Sequence, residues 1–76
     1  MAWRTYLVMY FTGQEKITDI VKKVEALGFE SALGPADFIY NWGEKQPDKQ
    51  TVLELGDKLC KVLKNTGAVF NIETHN

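Results

Sequence analysis

Three features of the sequence predict an α+β fold with its elements in the order β-α-β-β-α-β. Residues 3–12 (WRTYLVMYFT) are rich in β-branched and aromatic types and read as a strand. Segments 14–27 and 49–65 repeat apolar residues at three- and four-residue spacing and read as amphipathic helices. Between them, Gly34-Pro35-Ala36-Asp37 divides a β-prone region in two, because proline cannot pair inside a sheet. Right-handed crossovers and short connections favour one arrangement of this order. It is the ferredoxin-like split βαβ: a four-stranded antiparallel sheet, strand order 4-1-3-2, with two helices on one face.

The first strand carries Leu7, Met9 and Phe11 on one side and Tyr6, Val8 and Tyr10 on the other. Apolar side chains on both faces belong to a strand in the middle of a sheet, covered above and below. Leu7, Met9 and Phe11 are assigned to the core, since the alternate set includes Arg4 and two tyrosines. Thr12-Gly13-Gln14-Glu15 then matches a capping box, with the Thr12 hydroxyl accepting from the Glu15 amide. The first helix, 14–27, shows a stripe of Ile17, Ile20, Val21, Val24 and Leu27, with Asp19 facing Lys22 and Lys23 on the wet side. Gly28 is the expected left-handed stop.

Strands at 29–33 and 38–42 flank the proline turn as a hairpin. Strict alternation in the second of these sends Phe38, Tyr40 and Trp42 inward and leaves Asp37, Ile39 and Asn41 outward. The opposite register would bury Asn41, at about 1–3 kcal/mol if it found no partner. The inward register, in turn, asks for a hydrogen-bond partner for Tyr40 or Trp42. A polar loop, 43–48, ends at Asp48, a suitable N-cap. The second helix buries Val52, Leu55, Leu59, Val62 and Leu63, with Gly56 beside the stripe and closely packed on the sheet. Glu54–Lys58 and Asp57–Lys61 are acid-before-base pairs on its wet side, and Gly67 is its expected stop. Residues 68–74 form the last strand, Phe70 and Ile72 inward, Val69, Asn71 and Glu73 outward. Arg4 and Glu73 are expected to face each other across strands, a pair contributing at most about 0.2–1 kcal/mol.

The chain of 76 residues has room for one domain, 1–76, whose stability margin is thin. A hydrophobic fraction of 45% with 25% charged residues is that of a folded protein rather than a disordered one. A net charge of −1 supplies no attraction to nucleic acid or anionic membrane. The longest apolar run is about half of the ~20 residues a membrane-spanning helix needs, and no signal peptide is expected before the first strand. Cys60 is the single cysteine, so no internal disulfide forms; a small fold without disulfides points to a reducing, cytoplasmic setting.

No catalytic signature is legible. One cysteine and a penultimate His75, expected to be frayed and solvated, offer no metal-ligand spacing. Cys60 has no sequence-near base. Asp37, Glu30 and Glu73 at strand ends read as solvation and turn formation rather than acid–base chemistry, and Gly13 alone makes no phosphate cradle. No cofactor is expected.

What asks for a function is the sheet face that two helices cannot cover. It would hold Tyr6, Val8 and Tyr10, joined by Ile39 in the inward register or by Phe38, Tyr40 and Trp42 in the opposite one, rimmed by Arg4, Glu30, Asn71 and Glu73. The expectation is a non-catalytic interaction module, self-associating through this face as a homodimer or binding another protein. A small-molecule-binding regulatory domain is the alternative, with the Leu33–Asp37 turn and the 43–48 loop as flanks of a ligand. Single-stranded nucleic acid stacked on the aromatics is disfavoured, because the third strand, DFIYNWG, lacks the glycine–aromatic pattern of RNA-recognition domains.

Overall fold

The computed structural model describes residues 2–13 and 15–76. Six elements follow in the expected order: β1 (Trp3–Tyr10), α1 (Ile17–Glu25), β2 (Glu30–Ser31), β3 (Phe38–Gly43), α2 (Lys49–Val62) and β4 (Val69–His75). The strands form one antiparallel sheet in the order β2-β3-β1-β4, the predicted 4-1-3-2 read from its other edge. This is the ferredoxin-like sandwich.

Leu7 and Met9 of β1 and Phe38 of β3 point to the same side as Ile20 and Val24 of α1 and Leu55 and Leu59 of α2, and these residues form the core. The shortest dimension of the molecule is 18 Å, the thickness of one sheet and one helical layer. The two layers are explained by chain length: each helix has a single apolar stripe, and both stripes are used on one side of the sheet.

The inward register of β3 holds. Phe38 is buried, and Tyr40 and Trp42 pack against the core. The polar end of Trp42 finds its partner in Thr5, whose Oγ1 accepts from the indole Nε1 at 2.7 Å and lies 2.7 Å from Thr74 Oγ1. A register shift lies beside this contact: Trp3 pairs with Gly43 and Arg4 with Asn41, leaving Trp42 without an opposite number. Tyr40 stacks edge-on against Phe29 and tilted against Trp42.

Several local expectations are corrected. The capping box does not form: α1 begins at Ile17 behind Lys16, with no side-chain cap. Gly13 takes a φ of +84°, and Glu15 turns forward instead, its carboxylate 3.1 Å from Lys23 Nζ. The expected helix start at Gln14 lies outside the described residues. Phe11 falls beyond the end of β1 and is exposed rather than in the core, as is Ile17. The ion pair Glu15–Lys23 is the only one among the described residues, so the predicted Glu54–Lys58, Asp57–Lys61 and Arg4–Glu73 pairs are not made.

Helix α2 stops at Val62, short of the expected Asn65, although Gly67 does take a left-handed φ of +77°. Asn65 adopts the left-handed conformation at φ +67°, and the buried Thr66 hydroxyl donates to the Leu63 carbonyl at 2.6 Å, closing the last turn early. Its other end is as expected, the Asp48 carboxylate accepting from the Thr51 amide at 2.8 Å. The hydrogen bonds hold the Asp48 carboxyl below the ordinary aspartate value of 3.8. Gly56 does face the sheet, but an added Cβ would lie 3.6 Å from Ile72 Cδ1, an ordinary contact. Close packing therefore does not require glycine there. The second strand shrinks to Glu30–Ser31, because the chain leaves the sheet after Ser31 to build a wide turn.

Candidate functional site

On the face opposite the helices, the register sets out the side chains in rows. One row crosses all four strands: Glu30, Ile39, Tyr6 and Glu73. Beside it, on one flank, lie Val8 with Asn71 and then Tyr10 with Val69; on the other lie Asn41, Arg4 and His75. The centre of the face is apolar and each end of the long row carries a carboxylate.

The turn between β2 and β3 rises over this face. Its foot is fixed by Asp37, which continues the β1–β3 ladder past its last strand pair: its amide donates to the Leu7 carbonyl at 2.9 Å, and its carboxylate accepts from the Met9 amide at 2.8 Å. Ala32 closes the turn by donating to the Asp37 carbonyl, also at 2.9 Å. Gly34, at φ +110°, supplies the left-handed step that L-residues adopt at a cost.

A groove of about 270 Å³ results. Tyr6, Val8 and Ile39 form its floor, Ala32, Leu33, Pro35 and Ala36 one wall, and Asn71 and Glu73 the other. Of the residues singled out from sequence, Tyr6, Val8, Ile39, Asn71 and Glu73 therefore come together. Arg4 and Tyr10 share the face but lie outside the groove, Arg4 in the row beyond Tyr6 and Tyr10 toward the Val69 end.

His75 corrects an expectation. It belongs to β4, opposite Arg4, and its ring stacks on Tyr6 with centroids 4.5 Å apart and planes 18° from parallel. Glu73 faces Tyr6, not Arg4. The stack braces the tyrosine that floors the groove. The sequence placed Leu33 at the end of a strand and as one flank of a small-molecule site, not on the self-associating face, and the structure puts it on the groove wall.

Chemically, the groove has an apolar floor and one lining carboxylate, Glu73, with the His75 ring stacked on Tyr6 in the neighbouring row. Among the described residues no group of three His, Cys, Asp or Glu side chains is placed to hold a metal ion. A second, more open hollow of about 360 Å³ lies between Trp42, the 45–48 loop and Thr51. Its carboxylate, Asp48, is committed to capping α2. Among the described residues no helix is long and apolar enough to cross a membrane. No protein-family model, curated protein or solved structure matches the chain.

Proposed function

We propose that this chain is a non-catalytic association module whose open sheet face binds a second copy of itself. The observation that carries this is a run of apolar side chains left in water. Leu33 is 102%, Tyr10 63% and Val69 60% exposed, and they flank the half-buried Tyr6, Val8 and Ile39. Contiguous apolar surface on a small protein marks a contact site rather than a tolerated excess. A standard interface covers about 800 Å² per partner, roughly a seventh of the 5305 Å² surface of this molecule. A second copy is the partner always present at matching concentration, and one patch suffices for a two-fold contact. Cys60, exposed and free, fits a reducing, cytoplasmic setting for such a module.

Light scattering tests it. The wild type is expected to have the mass of a dimer, and Val8→Asp, which puts a charge at the centre of the face, that of a folded monomer. A monomeric wild type at high concentration contradicts the proposal.

The groove's concavity favours a second reading, a regulatory domain that binds a small molecule there. That reading predicts a ligand-dependent rise in melting temperature, which dimerisation alone does not. The carboxylates at both ends of the Glu30–Glu73 row work against phosphate, so single-stranded nucleic acid is disfavoured on this face.

A further inference from the structure

The open face carries a projection beside a hollow. Leu33, at the tip of the β2–β3 turn, has none of its surface covered by its own chain, yet it stands on the rim of the 270 Å³ groove. We infer that, in the self-association proposed above, Leu33 of each copy seats in the groove of the other, against Tyr6, Val8 and Ile39.

Symmetry supports the exchange. A two-fold axis that places one knob in the facing hollow places the other likewise, because knob and hollow are adjacent on one surface. Size agrees: the hollow holds about nine waters at roughly 30 Å³ each, room for a four-carbon side chain and part of the turn behind it. Charge agrees as well. The entering tip, Ala32 to Ala36, carries no ionisable side chain, so it brings no second carboxylate to Glu73. The amides of Leu33 and Gly34 make no hydrogen bond among the described residues, while the far wall offers acceptors in Asn71 and Glu73. The tip is also preset. Asp37 clamps its foot to β1, and Pro35 limits its freedom, so little order remains to be imposed on docking.

The test mixes two single-cysteine variants in a Cys60→Ser background: Leu33→Cys in one and Ile39→Cys in the other. Under mild oxidation they are expected to form a mixed disulfide much faster than Leu33→Cys does with Lys61→Cys, on the helical side. Leu33→Ser, a change at a fully exposed position that leaves the fold alone, is expected to weaken self-association roughly a hundredfold, since two buried leucines per dimer are lost. Unchanged association in Leu33→Ser, together with a monomeric Val8→Asp, would overturn the seating of Leu33 while leaving the face as the interface. A monomeric wild type removes both. A mixed disulfide no faster than the control also contradicts the seating.

Discussion

Gly28 and Thr5 show how much single residues decide here. Gly28 ends α1's approach to β2 at φ +108°, and a Cβ at that position would lie 3.0 Å from Tyr40 Cε2. Gly28→Ala therefore combines backbone strain with a side-chain clash, and is expected to destabilise by about 1–3 kcal/mol. A urea titration reads this as a lower midpoint at unchanged slope. Thr5 is completely buried and receives the Trp42 indole N–H. Thr5→Val keeps the shape but removes the acceptor, with an expected loss of about 1–2 kcal/mol by the same titration. That an inward Trp42 needs a partner was legible in the sequence. That the partner is Thr5 was not, because alternation sends Trp42 inward without showing which side chain of the neighbouring strand its indole meets.

Element types and order follow from periodicity, whereas the ends of elements were read less well, for a physical reason. A cap is one hydrogen bond in competition with neighbours. Asp48 wins that competition at α2, while Thr12 loses it at α1, where Glu15 is taken by Lys23. Because the folded-state pKa of Asp48 is depressed, its contribution is present above the ordinary aspartate value of 3.8 and is lost as pH falls through the folded value. Asp48→Asn retains a capping oxygen without titrating. Between pH 6 and pH 3, its urea midpoint is expected to fall less than that of the wild type, an equal fall counting against the cap. Within α2, Gly56→Ala should stabilise by about 0.5–1 kcal/mol, since the helix gains a better former and the methyl fits against Ile72. A lower melting temperature for this variant would show that the helix sits closer to the sheet than 3.6 Å implies.

At the scale of the molecule, the governing fact is a two-layer body whose central strand is apolar on both sides. The uncovered face was legible from Tyr6, Val8 and Tyr10 alternating with Leu7 and Met9. Its shape was not. The groove depends on the β2–β3 turn standing over the sheet, and that in turn depends on Asp37 bonding Leu7 and Met9, residues distant in the chain. Likewise His75 comes to brace Tyr6 because β4 ends one residue later than the expected 68–74. Asp37→Ala should therefore loosen the turn, lowering stability by about 1–2 kcal/mol and weakening self-association together, whereas Gly56→Ala changes only the first. The most direct test of an associating face is the set of backbone amide chemical shifts followed on dilution. Self-association predicts concentration-dependent shifts confined to Tyr6, Val8, Tyr10, Ile39, Val69, Asn71 and the turn amides of residues 32–34 and 36, with α1 and α2 silent; shifts that do not change on dilution, or that change on the helices instead, would contradict it.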